Sequence, residues 1–170
     1  SSHPDTLAHG FNLLTLSPLG YWTPSGFDTT LARDGNWPVL PDTIRTKAQG
    51  GYRSWLLNCV MAVKWAWTQS CVLPNRVSFY GTSQGGGGSL LLGSLFKDKG
   101  VRCVAADQPF LTDYPRADWR GAYYVCKAAF DEAEDKNEAW RSLGYADTFN
   151  HAPRLTCPVL LTQGELDEVC

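Results

Sequence analysis

Long apolar runs and clustered positive charges are both missing from this sequence. No stretch approaches the ~18 consecutive apolar residues of a membrane-spanning helix, and no signal peptide opens the chain. The 15 Lys and Arg residues are scattered, and the formal net charge is −2. No basic surface is therefore predicted, and we expect neither nucleic acid nor a membrane as a partner.

The spacing of the cysteines excludes the common cysteine motifs. None of the six forms a C-x-x-C pair, so neither a zinc site nor a thioredoxin-type redox site is indicated. They lie within or at the ends of apolar segments, at Cys59, Cys71, Cys103, Cys126, Cys157 and Cys170. An even count permits disulfides, but the pattern favours buried free thiols in a reducing compartment, with Cys170 a candidate reactive thiol. Together with the missing signal peptide, this predicts a cytoplasmic protein.

Residues 76–92 read R-V-S-F-Y-G-T-S-Q-G-G-G-G-S-L-L-L and contain a G-x-S-x-G motif centred on Ser83. A strand pattern precedes the motif and an apolar helical run follows it, which is the context that a nucleophilic serine on a tight turn needs. Gly81 and Gly85 are expected to keep Cβ atoms away from the neighbouring strand and helix. The alternative is a glycine-rich turn with a capping serine. A phosphate-binding loop is not indicated, because no lysine follows the glycines.

The remaining periodicity predicts one α/β domain with a mainly parallel sheet. The chain has 170 residues, 44% of them hydrophobic, which is enough for one core. Strands are predicted at residues 11–16, 77–80, 101–106 and 158–162, and helices at 52–68 and 89–96. Functional groups in such sheets gather at the carboxyl ends of the strands.

Two segments do not follow this alternation. Residues 17–51 form a long loop rich in Gly, Pro, Thr and Trp, where Trp22, Phe27 and Trp37 either wall a pocket or cover the edge of the sheet. Residues 112–150 are polar and helical in pattern, and we expect them to be a helical cap over the edge of the sheet. The domain assignment is therefore a single domain, 1–170, with a cap insertion at about 112–150.

Activation of Ser83 requires a base and an acid that orients the base. In α/β-hydrolases these follow the serine along the chain in the order acid, then histidine. Asp167 fits the acid, because it follows the strand at 158–162 on a Gly-x-x-Asp turn. The alternative is a turn residue that caps its own backbone, and Glu165 or Glu168 would then be the acid. His3, His9 and His151 all precede Asp167, so the expected base is missing from this chain.

Four segments resemble the acetyl xylan esterase / cephalosporin C deacetylase family, which is carbohydrate esterase family seven of the α/β-hydrolase superfamily. They read G-G-Y-R-S-W-L-L-N-C-V-M-A-V, R-V-S-F-Y-G-T-S-Q-G-G-G-G, V-A-A-D-Q-P-F-L-T-D-Y-P-R-A and P-V-L-L-T-Q-G-E-L-D-E-V. The similarity extends from about residue 10 to the end and is weakest at 17–50.

The resemblance implies a serine carboxylesterase that removes short acyl groups, acetyl above all, from esterified carbohydrates without a metal or organic cofactor. By position it implies that Ser83 is the nucleophile, Asp167 the acid and the backbone N–H of Gln84 one oxyanion donor. The family's histidine and second oxyanion donor lie outside this chain. The resemblance also implies a small ester substrate and a homo-oligomer in the intact protein.

Relative to the family, the chain lacks the opening strands and the closing strand and helix. We therefore expect the central portion of a longer polypeptide, nearly inactive alone. The alternatives are another α/β-hydrolase, similar to dienelactone hydrolases or to peptidases, and a non-catalytic interaction module or inactive natural short form.

Overall fold

The computed structural model describes residues 9–16 and 51–170. The predicted pocket aromatics Trp22, Phe27 and Trp37 lie outside the described residues, as does His3.

A three-stranded parallel sheet forms the centre of the described part, in the order β1-β2-β3. The strands are β1 (Val77–Thr82), β2 (Val101–Asp107) and β3 (Val159–Thr162). All three confirm strand predictions from short runs rich in β-branched and apolar residues. Because the strands are parallel, their carboxyl ends meet at one edge, and the segments that carry Ser83 and Asp167 both leave from that edge.

Helices cover the sheet and extend beyond it. They are α1 (Gly51–Ala66), α2 (Gln84–Leu95), α3 (Tyr124–Glu132), α4 (Lys136–Gly144) and the single turn α5 (Thr148–His151). α2 connects β1 to β2 and is buried along most of its length. A helix that is buried on nearly every side has a continuous run of apolar and small residues in its sequence, as residues 86–95 have. The helical patterns within 112–150 are confirmed as α3 and α4.

The core lies between α2, the sheet and the segment that follows β2. Leu91, Val104, Phe110 and Leu111 are fully or almost fully buried there. Tyr123 packs edge-on against Phe110, with 4.5 Å between ring centroids. This packing fixes the loop after β2 against the amino end of α2, which is where Ser83 lies.

The strand predicted at residues 11–16 is wrong. The segment is irregular and exposed, with Phe11 64% accessible, and within the described part of the chain it joins no strand. Asn12 instead donates a side-chain hydrogen bond to the carbonyl of Cys71, at 3.0 Å. An apolar run becomes a strand only when a partner accepts its backbone hydrogen bonds, which six residues of sequence do not reveal.

All six cysteines are free thiols. Cys59 and Cys126 are buried as predicted, whereas Cys71 is exposed and the others are partly buried. Burial raises the pKa of both the Cys59 and the Cys126 thiols to about 12.

None of the helices within residues 9–16 and 51–170 is long and apolar enough to span a bilayer.

Candidate active site

Ser83 lies at the junction of β1 and α2 in a strained backbone conformation. Its φ is 55° and its ψ is −120°, a combination that non-glycine residues rarely adopt. A Cβ on Gly81 would lie 2.2 Å from the carbonyl oxygen of Gly85, so the turn needs glycine there. The expectation that Gly85 also keeps a Cβ away from its neighbours is wrong, because a Cβ there would have no atom of the described residues within 4 Å. The serine therefore occupies the sharp strand-to-helix turn that the motif predicts.

Backbone hydrogen bonds lock this turn against the loop that follows β2. The Ser83 N–H donates to the carbonyl of Asp107 at 2.9 Å. The Ser83 carbonyl accepts from the N–H groups of Gly87 and Phe110, both at 3.0 Å. Three such bonds hold the unfavourable φ and ψ of Ser83 in place while its side chain remains partly exposed.

Gln84 is the first residue of α2, and its side chain is only 7% exposed. Its backbone N–H belongs to the first turn of the helix, whose N–H groups are directed towards the amino end, beside Ser83. The positive end of the α2 dipole therefore lies next to the serine hydroxyl. This is where an oxyanion on an attacked ester would be stabilised.

Asp167 lies in the turn after β3, and its N–H donates to the carbonyl of Gly164 at 3.2 Å. Its Oδ1 accepts from the N–H groups of Cys170 at 3.0 Å and Val169 at 2.8 Å. Its Oδ2 accepts from Gln163 Nε2 at 3.0 Å. The backbone N–H groups of Cys170 and Val169 hold the pKa of the Asp167 carboxyl below its usual value, so the group is a carboxylate at neutral pH. Asp167 therefore caps its own turn, and that role is compatible with an ionised catalytic acid.

Cys170 connects the two predicted site residues. Its thiol sulfur lies 3.3 Å from Ser83 Oγ, and its N–H is bound to Asp167. Burial, which is only partly offset by the hydrogen bond to Ser83, raises the pKa of the Cys170 thiol. The alternative acids Glu165 and Glu168 are both exposed. The contacts around Ser83 thus lead to Asp167 rather than to either glutamate.

A cleft of about 270 Å³ opens beside Asp167 and Cys170. Its other wall comes from the segment after β2 and includes Thr112, Arg116, Arg120 and Tyr123. The Tyr123 hydroxyl donates to the Thr112 carbonyl at 3.0 Å and accepts from the Thr112 N–H at 3.1 Å. Burial raises the pKa of Tyr123 to about 12, so this pair of hydrogen bonds persists at neutral pH. The cleft is lined by charged side chains of both signs and by apolar residues such as Pro109 and Leu161.

His151 lies at the other end of α2. Its Nδ1 is 3.3 Å from Ser94 Oγ and its Nε2 is 3.1 Å from the carbonyl of Tyr145. Ser94 is near the carboxyl end of α2, whereas Ser83 precedes its amino end. His151 is therefore a structural residue, as its position before the last strand suggested. His9 lies in an exposed turn at the start of the described residues.

The sequence reasoning missed Asp107, the last residue of β2. Its carboxylate accepts hydrogen bonds from Thr82 at the end of β1, at 3.2 Å, and from Thr162 at the end of β3. Asp167 was predicted because it lies on a turn that follows an apolar strand, and the position of Asp107 at the end of an apolar strand is a related signal. Across residues 9–16 and 51–170, no group of three His, Cys, Asp or Glu side chains is placed to hold a metal ion.

Comparison with known proteins gives a consistent result. Residues 43–170 match the family described as acetyl xylan esterase (AXE1). Among solved structures, the chain is similar to acetyl xylan esterase 1 from Thermoanaerobacterium sp. JW/SL YS485, with 30% identity and a TM-score of 0.69 over 79% of this chain and 44% of that chain. It is also similar in fold to the acetyl xylan esterase from Paenibacillus sp. R4, with 21% identity and a TM-score of 0.61 over 74% of this chain and 50% of that chain. A search of curated proteins gave no match. The chain thus spans about half the length of these solved structures.

Proposed function

The chain belongs to the acetyl xylan esterase family, and from this we propose that the complete protein is a serine esterase that hydrolyses short acyl esters, acetyl esters of carbohydrates above all. The single observation that carries the proposal is the conformation of Ser83, with φ 55° and ψ −120° between β1 and α2. A backbone this strained at a partly exposed serine is typical of a nucleophile rather than a helix cap, and Ser83 makes no side-chain capping hydrogen bond.

In the proposed mechanism, Ser83 Oγ attacks the carbonyl carbon of the ester. Its proton passes to a histidine supplied by a part of the complete protein outside this chain, and Asp167 orients that histidine and stabilises its charged form. The Gln84 N–H and the α2 dipole stabilise the negative charge that develops on the carbonyl oxygen. The alcohol leaves with the proton from the histidine, and water then hydrolyses the acyl-enzyme by the same sequence.

A carbohydrate as the alcohol part is supported by the names of the two similar structures, both acetyl xylan esterases. The cleft beside Asp167 adds a physical reason, since Thr112, Arg116 and Arg120 offer hydrogen-bonding groups to a hydroxyl-rich ligand. We propose that residues 112–150 act as a cap, because this segment supplies that wall of the cleft. The homo-oligomeric assembly and cytoplasmic location expected from the sequence stay predictions.

The proposal is tested on the complete protein with p-nitrophenyl acetate, an acetylated xylo-oligosaccharide and a fluorophosphonate probe. We expect the probe to label Ser83, and Ser83→Ala to abolish labelling and lower kcat by at least ~10³-fold. Ser70→Ala, a change at an exposed serine in the turn after α1, is the matched control and should leave both the labelling and kcat unchanged. Labelling that survives Ser83→Ala, or a preference for peptides over acetyl esters, would contradict the proposal.

A further inference from the structure

The last residues of the three strands form one row across the sheet. Thr82 pairs with Asp107, and Asp107 pairs with Thr162, in the parallel register. Thr82 Oγ1 donates to Asp107 Oδ2 at 3.2 Å, and Thr162 Oγ1 donates to Asp107 Oδ1. One carboxylate on the central strand therefore holds a hydroxyl from each neighbouring strand.

The main chain is joined at the same row. The Ser83 N–H donates to the Asp107 carbonyl at 2.9 Å, and the Gln108 N–H donates to the Thr162 carbonyl at 2.8 Å. Regular pairing stops here, and strand ends generally open more easily than strand centres. The two side-chain bonds to Asp107 therefore fix the lateral spacing of β1 and β3 at the point where the backbone pairing ends.

Ser83 lies directly beyond this row, and Asp167 lies in the turn that follows it. Ser83 follows Thr82, and its backbone has little freedom because of its strained φ and ψ. Gln163 follows Thr162, and its Nε2 donates to Asp167 Oδ2 at 3.0 Å. Two threonines that bind the same carboxylate thus link the strand of the nucleophile to the strand of the acid.

We propose that Asp107 is a positioning residue for the esterase reaction: it holds the strand of the nucleophile and the strand of the acid at the separation that the catalytic histidine must bridge. This inference rests on the proposed function. A misplacement of about 1 Å in a catalytic group can lower the rate by ~10²-fold. Asp107 touches neither the substrate nor the reacting atoms in this role, and it acts through Thr82 and Thr162.

The experiment uses the complete protein and four variants. Asp107→Ala removes both acceptors, and Asp107→Asn keeps one carbonyl oxygen and can donate to a threonine hydroxyl. Thr162→Val removes one donor without changing the size of the side chain. Thr156→Val is the matched control, because Thr156 is also exposed but its hydroxyl contacts the carbonyl of Lys97, before β2 begins.

We measure kcat and KM on p-nitrophenyl acetate, the pH profile of kcat/KM and the rate of fluorophosphonate labelling. For Asp107→Ala we expect kcat and labelling to fall about tenfold or more with little change in KM. The apparent pKa of the base should fall as well, because a displaced Asp167 stabilises the charged histidine less. Asp107→Asn should recover most of the wild-type kcat. Thr162→Val should lower kcat several-fold, and Thr156→Val should keep the wild-type kcat. Thr162→Val should add no further loss in the Asp107→Ala background, since both changes break the same contact.

Two outcomes would overturn the inference, and they are distinguishable. If the wild type hydrolyses the acetyl ester while Asp107→Ala and Thr162→Val keep its kcat and pH profile, Asp107 is not a positioning residue although the proposed function stands. If the wild type is inactive on acetyl esters and Ser83 is not labelled, the proposed function fails, and the inference fails with it. Should Asp107→Ala not fold, the milder Thr162→Val decides the question by the same criteria.

Discussion

At the scale of single residues, the geometry around Ser83 depends on how closely α2 approaches the loop after β2. The Ser83 carbonyl accepts the Phe110 N–H at 3.0 Å, so that loop runs directly beside the first turn of the helix. Gly87 is on the contacting face: a Cβ there would lie 2.0 Å from the Phe110 carbonyl oxygen. Within the glycine run, Gly86 and Gly87 therefore serve a close contact between backbones more than they serve flexibility.

We predict that Gly87→Ala destabilises the protein by about 1–3 kcal/mol, because the new methyl group must push the loop away from α2. The Phe110–Ser83 hydrogen bond would weaken with it, and labelling of Ser83 by a fluorophosphonate in the complete protein should slow. Gly85→Ala is the matched control, since its Cβ meets no described atom within 4 Å and alanine favours helix by about 1 kcal/mol over glycine. Urea unfolding of both variants measures the difference, and equal stability of the two would contradict the close-approach argument.

Some residue-level features have no signal in the sequence. Leu111 and Asp113 adopt positive φ values of 73° and 50°, although neither residue is a glycine. Such conformations are imposed by contacts with residues distant in the chain. At the start of α5, Asp147 accepts from the Asp113 N–H, and the Thr148 N–H donates to the Leu111 carbonyl. The Ser83–Cys170 contact likewise joins residues that are 87 positions apart in the chain. The local sequence pattern does predict the strand-to-helix turn at Ser83, because that turn is formed by residues adjacent in the sequence.

At the scale of elements, Asp147 holds the cleft wall to α5. Its Oδ1 accepts from the N–H groups of Asp113 at 2.8 Å and Phe149 at 2.9 Å, and its Oδ2 accepts from the Tyr114 N–H at 3.1 Å. The side chain is 3% exposed, so these N–H groups have little access to water. The carboxylate thus caps α5 and also stabilises the strained loop between β2 and α3.

We predict that Asp147→Ala destabilises the protein by about 2–3 kcal/mol, because it leaves buried N–H groups without their acceptor. Asp135→Ala is the control, because Asp135 also caps a helix and accepts from the N–H groups of Asn137 and Glu138. Since Asp135 is exposed, this change should lower the free energy of unfolding by only about 1 kcal/mol. Thermal or urea unfolding compares the two. An equal loss for both variants would mean that Asp147 acts only as a helix cap.

The three strands and the helices α1 to α4 could be predicted because each combines a clear period with a nearby breaker, whereas the single turn α5 could not. The strands predicted at 77–80 and 101–106 are confirmed as β1 and β2, and glycine or proline lies close to their ends. Residues 11–16 have the same apolar character, yet they form no strand, because a strand depends on a partner rather than on its own composition. α3 and α4 were predicted from their periodicity, whereas their place beside the cleft depends on tertiary contacts.

At the scale of the whole molecule, two buried thiols and one buried tyrosine hydroxyl make the free energy of unfolding depend on pH in the alkaline range. Burial raises the pKa of Cys59 and Cys126 from 9.0 to about 12, and that of Tyr123 from 10.0 to about 12. Cys59 is on α1, Cys126 is on α3 and Tyr123 lines the cleft, and all three belong to one continuous core. Because each folded pKa lies above the unfolded value, these groups favour the folded state fully below about pH 9, and this contribution is lost as the pH rises towards 12.

We therefore predict that the free energy of unfolding is flat from pH 7 to about 8.5 and then falls, by about 1 kcal/mol for each thiol at pH 10. The unfolded chain releases these protons while the folded chain retains them. Urea unfolding at a series of pH values measures the slope. Cys126→Ala should be less stable at pH 7 but lose less stability on going to pH 10, whereas Cys71→Ala, a change at an exposed thiol, should keep the wild-type slope. An unchanged slope in Cys126→Ala would mean that this thiol is ionised as readily in the folded core as in the unfolded chain.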